Sequence, residues 1–217
     1  MQRQRMETNW AAAQLQTIRA LMERSALYRR ALAPVMLLVG GLGGAAAAVG
    51  LLVHLKSDMA FLELWSATCF TALAGAFLLI RKQALGAAEP FWTPPTRRVV
   101  EAIAPPLVCG VAITLLVLGP AGEKGEAPYL LPPVWMALYG CALNAAGFFM
   151  PRGIKWLGWL FIAAGSGLLL LGFGAGVPVF IFDEPEGGHV AMGATFGGLH
   201  LAYGVYLYFT EQRKNVA

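Results

Sequence analysis

Charge is what this sequence has least of. Of its 217 residues only 13% are Asp, Glu, Lys or Arg, where a soluble domain carries about 25%. Apolar residues make up 58%. A disordered chain has the opposite balance and is excluded. The 26 glycines and 13 prolines follow no period of three, which excludes a collagen-like chain. Cysteine is also scarce. Cys69, Cys109 and Cys141 each lie in an apolar run and form no C-x-x-C pair. Neither a disulfide framework nor a zinc site is expected from them, and they read as small core-packing residues. There is no P-loop, no G-x-S-x-G elbow, no H-E-x-x-H and no G-x-G-x-x-G between strand and helix. A polytopic membrane protein remains.

What is present in quantity is long apolar sequence. Six stretches reach the roughly 20 residues needed to cross a bilayer: Ala31 to His54, Asp58 to Ile80, Val99 to Gly119, Tyr129 to Met150, Ile154 to Phe173 and Val190 to Phe209. Lipid offers no partner to backbone N–H and C=O groups, so each must be a helix. Barrel-type alternation is absent. The expected fold is all-α: six transmembrane helices as three antiparallel hairpins over residues 31–210, preceded by a cytoplasmic segment 1–30 and followed by a tail 211–217. The first 30 residues lack the features of a cleavable signal peptide, so the first span is expected to be retained. Met1 and Met6 are alternative starts.

The basic residues give the orientation. With six spans, fourteen of the sixteen Lys and Arg fall on the side of the termini, and only Lys56 and Lys124 on the other. By the positive-inside bias both termini are expected in the cytoplasm, with the chain in a bacterial inner membrane. The net charge of +4 is therefore a topology signal and not a nucleic-acid signal.

Residues Thr8 to Arg30 have apolar positions at helical spacing, including Leu15, Ile18 and Met22, with Arg19, Glu23, Arg24 and Arg30 on other faces. They read as an amphipathic helix on membrane lipid, or alternatively as a dock for a cytoplasmic protein. Pro34 opens the first span, and Ala31-Leu-Ala-Pro34 aligns with Ala102-Ile-Ala-Pro105 at an offset of 71 residues, which suggests repeated hairpins. Gly40-x-x-x-Gly44 and Gly193-x-x-x-Gly197 are small-residue packing faces, for a neighbour in the same chain or for a homo-oligomer.

Polar groups placed in hydrocarbon are functional candidates because burying them unpaired is costly. They are His200 in mid-span, Asn144, Glu63 near an outer end, and Tyr203, three residues after His200. His200 reads first as a structural tie to Asn144 or a tyrosine, with haem or a metal as the alternative. Asp183, Glu184, Glu186, His189 and His54 form a candidate outer cation site or a solvated acidic surface; a metal is unassigned. Glu101 is expected to pair with Arg97 or Arg98 at the interface.

Met6-Glu-Thr-Asn-Trp-Ala, Ile18 to Pro34 and Tyr139-Gly-Cys-Ala-Leu-Asn-Ala-Ala-Gly-Phe-Phe-Met-Pro-Arg-Gly153 resemble uncharacterised bacterial integral membrane proteins. The three-hairpin outline is also similar to the HdeD-type acid-resistance membrane proteins. The first resemblance implies no activity, and the second is topological. The expected role is a non-catalytic accessory or regulatory membrane subunit without a cofactor. The alternatives are a small-solute transporter or channel, and a haem- or metal-dependent redox protein.

Overall fold

The computed structural model describes residues 31–86, 90–118, 130–174 and 185–215. Every regular element among them is helical: α1 (Ala31–Leu52), α2 (Asp58–Gly86), α3 (Pro94–Leu118), α4 (Leu131–Ala146), α5 (Arg152–Leu169), α6 (Pro185–Met192) and α7 (His200–Asn215). A π-helical turn, Leu170–Gly174, extends α5, and another, Gly193–Leu199, joins α6 to α7 into one continuous rod. The segment Thr8 to Arg30, the stretch Val177 to Phe182, and Asp183 and Glu184 lie outside the described residues.

Among the described residues, five helices are long and apolar enough to cross a membrane: Ala31–Leu52, Asp58–Gly86, Thr96–Val117, Arg152–Gly172 and Glu186–Thr210. The expected fourth span forms a shorter helix. α4 has 16 residues, which at 1.5 Å each gives about 24 Å against a hydrocarbon core of about 30 Å. It ends where Gly147 N–H bonds the Leu143 carbonyl at 2.8 Å and the chain turns through Phe148 and Phe149. Pro151 then leads directly into α5.

Two other boundaries differ from expectation. α2 continues past Ile80 to Gly86, and α3 starts at Pro94 rather than Val99. Thr93 explains the earlier start. Its Oγ1 accepts from Thr96 N–H at 3.4 Å and lies 2.8 Å from Thr96 Oγ1, and Thr96 Oγ1–H also reaches the Phe91 carbonyl. This is a capped N-terminus, and prolines are tolerated in the first turn because its N–H groups have no intrahelical acceptor. Pro105 and Pro106 consequently stand inside α3, about three turns beyond its start.

The helices pack by two kinds of crossing. In the first, backbones meet. A Cβ added to Gly40 would stand 2.6 Å from Leu201 N, and one added to Gly43 2.8 Å from Phe196 C. One added to Gly197 would stand 2.9 Å from Gly44 N. The two small-residue faces recognised in the sequence are therefore each other's partners within this chain. α4 and α5 cross in the same manner, since a Cβ on Gly140 would lie 2.6 Å from Ile162 N and one on Gly158 2.8 Å from Asn144 N. In the second kind, the glycines of α2 and α3 meet side chains, Gly75 against Leu38 and Gly110 against Leu138. Only 6% of the apolar stretch of α2 and 11% of that of α3 is buried, against 33% for α1 and 28% for α5 and the last rod.

The three cysteines are exposed and free, contrary to their reading as core residues. A lipid-facing site is as apolar as the core, so a small apolar residue is equally at home on either side. The turn after α1 is a Schellman motif. Leu55 N–H bonds the Gly50 carbonyl at 3.0 Å and His54 N–H the Leu51 carbonyl at 3.3 Å. His54 takes the left-handed position with φ 53°.

Candidate functional site: two buried aromatic–histidine nodes

The last rod carries His189 and His200, eleven residues and about 16 Å apart along its axis, and both are fully buried. Each histidine is held by an aromatic side chain from another helix.

His189 lies in the upper node. Trp65 of α2 donates its Nε1–H to His189 Nδ1 at 3.1 Å. The accepting nitrogen is thus unprotonated, and the neutral ring carries its proton on Nε2. Nε2 makes no well-formed hydrogen bond among the described residues, although the Leu55 carbonyl acts on the ring. Phe61, one turn before Trp65, packs with its centroid 4.8 Å from the imidazole and stacks on Trp135 of α4 at 6.4 Å. The ring also presses on α1, where a Cβ at Gly50 would collide with it. Trp135 in turn donates to Thr114 Oγ1 of α3 at 2.9 Å, so one cluster ties α1, α2, α3, α4 and α6.

His200 lies in the lower node. Its Nε2 is 2.8 Å from Tyr139 Oη of α4. Phe161 of α5 meets the imidazole edge-on at 5.3 Å, and Phe196, one turn back, stacks on it at 6.1 Å. Tyr139, Phe161 and Phe196 have mutual centroid distances of 5.0 to 5.1 Å. Nδ1 makes no well-formed hydrogen bond, although the carbonyls of Thr195 and Phe196 in the π turn act on the ring. Those carbonyls favour a proton on Nδ1, which leaves Nε2 to accept from the Tyr139 hydroxyl. The wider π turn places Phe196 and His200 on one face, a local irregularity of the kind that recurs at functional positions.

The other candidates are dispersed. Asn144 lies on α4 where α5 crosses, half-buried, with Nδ2 unpartnered among the described residues. Tyr203 stands against Gly153 at the start of α5 and stacks on Tyr206 at 6.2 Å. Glu63 is exposed on α2, away from the buried Phe61, Leu62 and Trp65. At the far end Glu186 draws His54 Nδ1 to 3.5 Å and Lys56 Nζ to 4.0 Å, while His189 turns inward to Trp65. Among the described residues, no three of His, Cys, Asp or Glu are grouped for a metal ion.

In the described geometry both imidazoles already have an aromatic partner. His200 Nε2 is engaged by Tyr139 and rings crowd the imidazole, while His189 Nδ1 is engaged by Trp65.

Sequence reading missed Trp65, Tyr139 and Phe161. The i, i+4 pairs Phe61–Trp65 and Phe196–His200 were the available signal, since each places an aromatic ring beside the histidine node. No family model, curated protein or solved structure matches this chain.

Proposed function

We propose that this chain is a non-catalytic accessory or regulatory subunit of a bacterial inner membrane, crossing it six times with both termini in the cytoplasm. The orientation rests on the basic residues. Of the described side chains, Arg81, Lys82, Arg97, Arg98, Arg152 and Lys155 belong to one end of the bundle and Lys56 to the other. The sixth crossing is α4. Trp135 holds it to Thr114 near one end of α3, and Phe149, just past its C-terminus, meets Arg98 at the other. A helix this short crosses by local thinning of the bilayer.

The subunit role is carried by the uneven covering of the helices. α1, α4, α5 and the last rod form a closed unit in which the buried histidines serve as ties. α2 and α3 are left with 6% and 11% of their apolar stretches buried, and present Phe70, Leu73, Phe77, Val108, Val111 and Leu115 outward. Two barely covered rods offer apolar surface to another membrane helix.

The test places a photo-crosslinking residue at Phe70 or Val108 in cells, with Trp159 on α5 as the comparison. The expected result is a discrete protein adduct of one mass from both α2 and α3, absent from Trp159. Lipid adducts alone at Phe70 and Val108 would remove the support for a subunit role.

A second reading, a small-solute transporter or channel, is favoured by Asn144 Nδ2, a buried polar atom without a hydrogen-bond partner among the described residues, and by His200 Nδ1, which makes no well-formed hydrogen bond there. It requires solute flux that Asn144→Leu and His200→Leu abolish in reconstituted vesicles.

A further inference from the structure

The end of the bundle where α3 and α5 begin has a feature that the two histidine nodes do not use. Phe148 and Phe149 are adjacent in the turn between α4 and α5, and both are exposed, at 71% and 45%. Each ring carries a cation from a different helix. Lys155 Nζ of α5 lies 3.3 Å from the Phe148 centroid, and the Arg98 guanidinium of α3 lies 6.0 Å from that of Phe149. Arg152 stands one turn before Lys155 on the same face of α5. The nearby carboxylate is taken, since Glu101 Oε1 binds Arg97 Nε at 2.6 Å. Arg98, Arg152 and Lys155 therefore have no acidic partner among the described residues.

We propose that Arg98, Arg152 and Lys155, mounted around Phe148 and Phe149, form a binding site for the phosphate of an anionic phospholipid headgroup.

The chemistry supplies three reasons. Cation–π contact holds Lys155 and Arg98 in place with their charge uncancelled, so little ordering is needed when an anion arrives. Gly147 gives the lysine stem its seat, because a Cβ there would strike Lys155 Cγ. The depth is also right. Trp92 and Trp156, exposed at 60% and 72%, mark this end as an aromatic belt at headgroup level. Basic recesses between membrane helices at that level bind acidic headgroups. A soluble phosphate would offer the same anion but no acyl chains. The exposed rings of Phe148, Phe149 and Trp156 favour the lipid, whose chains would lie along them.

The test uses the full chain purified in detergent and titrated with phosphatidylglycerol, phosphatidylethanolamine or inorganic phosphate, with bound lipid counted by native mass spectrometry. Phosphatidylglycerol is expected to bind and phosphatidylethanolamine to bind at least tenfold more weakly. In the double variant Arg98→Gln/Lys155→Gln, affinity for phosphatidylglycerol falls about fivefold for each cation removed, roughly twenty-five-fold together. Lys56→Gln, at the opposite end, leaves it unchanged. Phe148→Leu/Phe149→Leu keeps every charge and still weakens binding several-fold, which separates the built site from a general attraction to positive protein. Equal binding of the two lipids, or wild-type affinity in Arg98→Gln/Lys155→Gln, would overturn the proposal. Displacement of the lipid by millimolar inorganic phosphate would reassign the site to a soluble anion and overturn it equally. Retained melting temperature in each variant shows that a lost affinity is not lost folding.

Discussion

The crossing of α1 with the last rod and the seating of α2 and α3 show two ways of packing in lipid. At the first, a glycine faces backbone: Gly40 against Leu201 N, Gly43 against Phe196 C, Gly197 against Gly44 N. At the second, a glycine faces side chains. Gly75 of α2 meets Leu38 Cδ2, and Gly110 of α3 meets only Leu138 Cδ1, at 3.7 Å. Helices gain no hydrophobic drive from one another when the alternative neighbour is a lipid tail. Close backbone approach and hydrogen bonds are what remains, and the first region has the closer approach of the two. The difference separates a crossing where backbone meets backbone from one where side chains stand between the helices.

The sharpest way to break this contrast is to add one methyl group in each region. Gly197→Ala or Gly140→Ala puts a Cβ within 2.6 to 2.9 Å of backbone atoms that cannot move aside, and each is expected to lose about 2–3 kcal/mol as overpacking. Gly110→Ala on α3 meets ordinary contact, and the control Gly41→Ala on the open side of α1 meets nothing; both are expected to be neutral or to gain up to about 1 kcal/mol from helix propensity. Unfolding midpoints in detergent compare the four. Equal losses at Gly110 and Gly197 would show that the two regions do not differ.

The hydrogen-bonded ties come next in size. Tyr139→Phe removes the partner of His200 Nε2 when Nδ1 already lacks one, and Trp65→Phe does the same to His189 Nδ1. Interhelical bonds in membranes average about 0.6 kcal/mol and reach about 1.7. The upper end is expected here because no water reaches a fully buried ring. His200→Gln, which keeps a polar group opposite Tyr139, is expected to lose less than His200→Ala. A larger loss for Gln would count against the tie, as would an unchanged midpoint in Tyr139→Phe.

The helical class, five of the six expected spans and the glycine faces were legible because they depend on hydropathy and small side chains at regular spacing. The Arg97–Glu101 pair was legible as an i, i+4 contact. Direction was not. Hydropathy does not distinguish a core from lipid, so Cys69, Cys109 and Cys141 gave no sign that they face outward. Nor did His200 announce its partner, because Tyr139 lies 61 residues away on a different helix. The start of α3 was hidden for another reason. The apolar run begins at Val99, and Thr93-Pro-Pro-Thr96 before it shows a helix start only once Thr93 is recognised as its cap.

The smallest expected effect lies at the turn between the two packing regions, where α1 gives way to α2. His54 occupies the left-handed C′ position of a Schellman motif with φ 53°, a place glycine takes without steric penalty. An L-residue there is disfavoured by roughly 1–2 kcal/mol. Against this stands the contact with Glu186 at 3.5 Å between partly exposed groups, worth at most about 0.5 kcal/mol after solvent screening. The backbone effect is the larger. Relief is reduced by the extra freedom glycine gives the unfolded chain, about 0.4–1 kcal/mol, so His54→Gly is expected to raise stability by about 0.5 kcal/mol. A fall in the unfolding midpoint would mean that the link from this turn to Glu186 holds α1 and α6 together more firmly than its geometry indicates. His54→Asn, which tolerates the same backbone angle but cannot reach as far, would then fall with it.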